Sequence, residues 1–189
     1  MWTGRILLLI LLLLTGGGWF DTLLPNPKKT ALFCAEAAVF GLTLLPEIRT
    51  PTVRISIAPC AFLLCMALLC PTKRPLGALL AAVFGGFLGW KLCDALPLFF
   101  EQGLLIAAAA LLCMPFCRDE KAKALAIAAA PVMMLLWRTA GDYALFQSAV
   151  VQFGSGDALC AQSAGLLCLL TGKLAASRLL LRNRLHAGA

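Results

Sequence analysis

Seven stretches of 14–19 residues, each nearly free of charge, follow one another along the chain, separated by short breaks rich in proline and charge. They are Ile6–Phe20, Thr30–Leu45, Ile55–Cys70, Leu76–Trp90, Gly103–Cys117, Ala124–Trp137 and Ala158–Ala176. A soluble domain cannot hide so much apolar surface in one core. Of the 189 residues 61% are hydrophobic, where soluble chains carry about 45–50%. A bilayer is the solvent that fits, since crossing its hydrocarbon takes about 20 apolar residues of helix. The runs are continuous Leu, Ala, Ile and Val, unlike the alternating segments of about ten residues in a membrane β-barrel. Leu and Ala are also strong helix formers. The expected fold is all-α: one integral membrane domain over residues 1–189, a polytopic bundle of about seven transmembrane helices. These are placed near 5–20, 30–46, 54–70, 76–92, 103–117, 124–146 and 158–177, with six helices if the first is cleaved.

The first run resembles a secretory signal, because Arg5 precedes the apolar Ile6–Leu14. The following Thr15-Gly16-Gly17-Gly18-Trp19 offers no small-x-small alanine pair for cleavage. Trp2 and Trp19 are about 26 Å apart on a helix, a spacing that suits the two interfaces of one span. A retained helix is therefore expected.

Charge sets the orientation. The chain has 16 Lys and Arg against 9 Asp and Glu, a net charge of +7. The cations are scattered between apolar runs, which argues against nucleic acid as a partner and for topogenic charge facing anionic membrane lipids. With seven spans, eleven cations fall on one side: Lys28, Lys29, Lys73, Arg74, Arg118, Lys121, Lys123, Lys173, Arg178, Arg182 and Arg184. Five fall on the other: Arg5, Arg49, Arg54, Lys91 and Arg138. The positive-inside rule then places the N-terminus outside and the C-terminus in the cytoplasm of a bacterial inner membrane. Asp94, Glu101, Asp142 and Asp157 fall outside.

Few residues carry chemistry. Nine cysteines occur, mostly within apolar runs, and none forms a C-x-x-C pair. Cys113 and Cys117 would share a helix face, where packing explains them better than a metal. Gly154-Ser155-Gly156-Asp157 holds a serine, but a nucleophilic serine needs a base in reach. The sole histidine, His186, lies in the tail on the opposite side. A turn with Asp157 as helix N-cap is the expectation. No phosphate-binding G-x-x-x-x-G-K-[ST] loop is present. Neither catalytic residues nor cofactor or metal ligands are expected, and the chain is read as a non-enzyme.

Five polar positions stand out, intramembrane or interfacial. Glu36, seven residues into the second run, is either a buried proton or cation site or, the favoured reading, a solvated group reaching back to Lys28 or Lys29. Lys91 and Asp94, and Arg138 and Asp142, are spaced to meet on a helix face beside Trp90 and Trp137. They read as interfacial ion pairs, with a polar outer vestibule as the alternative. Gly85 and Gly89 form a G-x-x-x-G spacing for close helix packing, within the chain or with another copy or another membrane protein.

The stretch Val53-Arg54-Ile55-Ser56-Ile57-Ala58 at the start of the third helix resembles the Arg-Ile-Ser opening of the YphA family. These are small multi-pass membrane proteins of spore-forming Firmicutes. Gly141-Asp142-Tyr143-Ala144-Leu145 with Gln152-Phe153-Gly154-Ser155-Gly156, and the later Lys173-Leu174, resemble that family's last connection and helix. The resemblance implies a bacterial cell membrane and a loose link to sporulation, and it carries no catalytic residues. The expected role is that of a structural or accessory membrane component. The length and small-residue helices are also similar to the substrate-binding subunit of energy-coupling vitamin transporters, which makes a small-solute transporter, or a transporter's binding subunit, the alternative.

Overall fold

The structure is a computed structural model that describes residues 2–18, 29–69, 71–73, 75–96, 101–146 and 150–187. Trp19, Lys28, Cys70 and Arg74 of the sequence reading lie outside these residues. The chain is an all-α bundle, with seven α-helices among the described residues: α1 (Trp2–Gly16), α2 (Lys29–Leu42), α3 (Ile57–Leu69), α4 (Pro75–Ala95), α5 (Gln102–Leu112), α6 (Glu120–Phe146) and α7 (Gly156–Ala187). Three of them are long and apolar enough to cross a membrane: α4, α6 and α7 as far as Leu179. The other four are apolar but only 11–15 residues long.

Prolines and glycines set the boundaries that differ from the sequence reading. The fifth run was expected to be helical to residue 117, but α5 stops at Leu112 and a 3₁₀ turn, Met114–Phe116, follows. Pro115 lacks an amide hydrogen and pushes the residue before it out of helical geometry. Similarly α2 ends at Leu42, four residues short of Pro46, and α1 ends in a glycine triplet whose Gly18 has φ +79°. The last helix runs ten residues further than expected.

The sequence reading contains no strand, and here it needs correction. Residues 54–56 were assigned to the third helix, but Val53–Ile55 forms β2, and α3 begins only at Ile57. β2 pairs antiparallel with β1 (Ile48–Arg49) and parallel with β3 (Val151–Phe153), in the register Arg54 opposite Gln152. Pro51 sits in the hairpin turn, closed by the Thr50 amide donating to the Val53 carbonyl at 2.8 Å. Gly154 follows β3 with φ +76°, and a Cβ there would stand 2.6 Å from the Ser56 carbonyl oxygen. Only glycine satisfies both demands.

These contacts define two ends. At the sheet end the α2–α3 and α6–α7 connections pair, and Arg5 Nη2 donates to the Thr43 carbonyl at 2.5 Å. At the opposite, basic end, the α3–α4 and α5–α6 connections meet through Thr72 and Asp119, and Lys173 of α7 pairs with Glu120. Successive helices therefore alternate in direction, as an up-and-down bundle requires.

The packing of α4 is inverted relative to a soluble core. On α4 the buried residues are Ala78, Ala81, Ala82, Gly85, Gly86, Gly89 and Cys93. Its bulky Leu76, Leu79, Leu80, Phe84 and Phe87 point outward. Lipid gives helices no hydrophobic reason to associate, so close backbone approach through small residues takes over. Leu8 and Leu11 of α1, Phe62 and Met66 of α3 and Leu166 and Leu170 of α7 fill the widest part of the core.

Candidate functional site

Polar groups in this apolar bundle fall into two sets. The first is a cavity of about 50 Å³ at the sheet end, lined by Gln102 of α5, Arg138 of α6 and Ser155 and Asp157 at the start of α7. Pro131 forms part of its floor. Ser155 Oγ accepts from the Ala158 amide at 3.0 Å, so Ser155, not Asp157, caps α7. Asp157 lies in the first turn, where a negative charge suits the helix dipole. About 50 Å³ holds a water or two and no larger solute.

The second set is buried inside the bundle. Gln162 of α7 is fully buried, and its Nε2 donates to the carbonyls of Ala128 at 2.8 Å and Pro59 at 3.1 Å. One side chain thereby ties three helices together. Its α6 acceptor lies one residue from Ile127, whose carbonyl loses its usual helical donor because Pro131 has none. Gln162 binds the neighbouring Ala128 carbonyl and not the one that Pro131 frees. Ser163 is also fully buried, and its Oγ and Gln162 Oε1 meet no hydrogen-bond partner among the described residues. Gln162 and Ser163 were missed in the sequence reading. The signal was there: an amide inside the longest apolar run.

Glu36 belongs to this set too, and the favoured sequence reading of a solvated carboxylate is overturned. The residue is 2% exposed. It lies against Thr15 of α1, whose hydroxyl donates to the Leu11 carbonyl at 2.9 Å. Both Glu36 oxygens are without a hydrogen-bond partner among the described residues. The reason is the turn of α2: Leu32, Glu36 and Val39 share the face that packs inward.

The two expected interfacial ion pairs do not form. Lys91 Nζ sits 3.8 Å from the centroid of the Trp90 ring instead of on Asp94. This is a cation–π contact. Arg138 lines the cavity rather than pairing with Asp142. Trp90 packs on Gly141, where a Cβ would be 2.8 Å away, and Phe87 makes edge contacts with Trp90 at 6.0 Å and Trp137 at 5.4 Å. Trp137 Nε1 donates to the Val83 carbonyl at 3.2 Å. The result is an aromatic cluster of the kind that marks a membrane interface.

Gly85 and Gly89 face α5 of the same chain, where a Cβ would stand 3.3 Å from Ala110 and 3.5 Å from Ile106. Gly86 is tighter still, 2.6 Å from the Met134 amide of α6. Cys113 and Cys117 are buried together but on opposite sides of the 3₁₀ turn, not on one helix face, and Cys117 Sγ lies 3.6 Å from the Gly77 carbonyl. Among the described residues no cluster of three or more His, Cys, Asp and Glu side chains is placed to hold a metal ion. The chain matches no family model, no curated protein and no solved structure.

Proposed function

We propose that this chain is a structural or accessory multi-pass protein of a bacterial cell membrane, not an enzyme, in the manner of the YphA-like proteins and with their loose link to sporulation. In this reading all seven helices cross the bilayer, the sheet end faces outside and the basic end faces the cytoplasm. The observation that carries the role is the backbone-to-backbone locking of the helices. Cys160 of α7 is held between Gly4 of α1 and Gly103 of α5, where added Cβ atoms would stand 3.1 Å and 2.7 Å from it. A bundle closed this tightly suits a rigid element on which another membrane component assembles. The alternation of the ends supports the seven-span topology, and the basic end supports a cytoplasmic C-terminus.

Small-solute transport is the second reading, favoured by Glu36. A buried carboxylate in an intramembrane helix is costly and points to ion or proton coupling. One purification separates the two. After mild detergent extraction, cross-linking and mass spectrometry, the accessory role is expected to yield a stoichiometric protein neighbour. A small solute retained at one per chain would overturn it in favour of transport. A cytoplasm-only fluorescent reporter fused after Ala189 is expected to glow, and activity of an exterior phosphatase at that position would reverse the orientation.

A further inference from the structure

The basic end carries a trough that changes character with depth. Its mouth is an open recess of about 520 Å³, walled by Lys73, Arg118 and Lys121, with Asp119 at its edge. Lys73 and Arg118 also border an adjoining hollow of about 430 Å³ that reaches Pro75 and Leu76. Pro75 and Leu76 in turn begin a third section of about 450 Å³, an apolar groove between α4 and α6 that continues along Leu79, Leu125 and Ala129. Shared walls make the three sections continuous. Lys121 to Ala129 is eight residues of one helix, so the groove descends about 12 Å below the cations.

Among the described residues the cations at the mouth are not paired within the protein. Asp119 accepts from the Thr72 hydroxyl at 3.4 Å. Glu120 is taken by Lys123 at 2.9 Å and Lys173 at 3.8 Å. Among the described residues Lys73, Arg118 and Lys121 form no ion pair. Three cations and one carboxylate leave the recess with a local charge of +2. The groove below it has a firm floor, because Ala78, which lines it, clusters with the buried Ala122 and Ala126 of α6.

We infer that this trough is a binding site for one anionic phospholipid, its phosphate between Lys73, Arg118 and Lys121 and an acyl chain in the groove along Leu76, Leu79, Leu125 and Ala129. The chemistry selects the ligand. A free phosphate would fill only the mouth, and an apolar helix would leave the cations unmatched. An anionic lipid matches both sections and is present at that depth in the leaflet. The inference uses the membrane setting but neither the accessory role nor the orientation, so it stands or falls independently of them.

The test is native mass spectrometry of the full chain, purified in mild detergent and equilibrated with equal amounts of phosphatidylglycerol and phosphatidylcholine. One phosphatidylglycerol per chain is expected to be retained in preference. Lys73→Gln and Arg118→Gln, both at exposed positions, are each expected to lower that preference about five-fold. Ala129→Phe fills the groove with the cations intact and is expected to lower phosphatidylglycerol retention as well. Excess inorganic phosphate is expected to leave the lipid in place. Equal retention of the two lipids by the wild-type chain would overturn the site. So would release of the lipid by inorganic phosphate, a second chain in place of the lipid, or unchanged retention in Arg118→Gln and Ala129→Phe variants whose thermal transitions match the wild type.

Discussion

The two ends of the bundle solve the same problem in opposite ways. At the sheet end, two connections pair as strands and α7 starts between α1 and α5 with no room for a Cβ at Gly103. The cavities found there are small, about 50 Å³ and about 20 Å³. At the basic end the connections meet through Thr72 and Asp119, and the recess beside them is about ten times larger, 520 Å³. The backbone explains the contrast. Glycines and strand hydrogen bonds let main chains meet directly at one end, while cationic side chains line an open recess at the other.

Three substitutions test this contrast. The largest effect is expected from Gly103→Leu at the closed end, because Cys160 and the Asp157 carbonyl stand within 3 Å of a Cβ there. Overpacking of that kind costs at least about 3 kcal/mol, read as a lowered thermal transition in detergent. A wild-type transition would mean that α5 and α7 are not in backbone contact. Gln162→Leu keeps the volume and removes the strap between α3, α6 and α7. A loss of about 1 kcal/mol is expected, the scale of interhelical hydrogen bonds in membranes. No change would show that the amide contributes nothing net to the packing. The smallest effect belongs to the open end, where Gly172 of α7 has nothing within 4 Å of a Cβ. Gly172→Ala is expected to raise stability by about 0.5–1 kcal/mol through helix propensity alone. Destabilisation there would reveal a neighbour that fills the space.

The helices were legible because each apolar run is long and each break carries proline, glycine or charge. The sheet was not, because strands of two or three residues leave no periodicity to read, and Val53-Arg54-Ile55 reads equally well as the start of a helix. Sequence spacing placed Lys91 near Asp94, but it could not weigh an aromatic ring one residue away, and the ammonium settled over Trp90. Glu36 shows a different limit. Its position in the run was plain, yet whether it faces lysines or the core depends on the rotation of α2 against α1, which is a packing outcome. Gly85 and Gly89 were legible as a contact surface, and the fold supplies α5 as the occupant.

Gln162 has a consequence for how such a chain is made. Its acceptor on α3, Pro59, precedes it by 103 residues, and the Gly4 seat on α1 lies still further back. At a synthesis rate of about 5–20 residues per second, the first three helices wait roughly 5–20 s before α7 emerges to join them. During that interval the carbonyl awaiting Gln162 and the groove awaiting Cys160 are open to their surroundings. The order in which the ribosome delivers helices thus leaves α1–α3 as the segment most dependent on assistance, and the last long helix as the one whose arrival completes the fold.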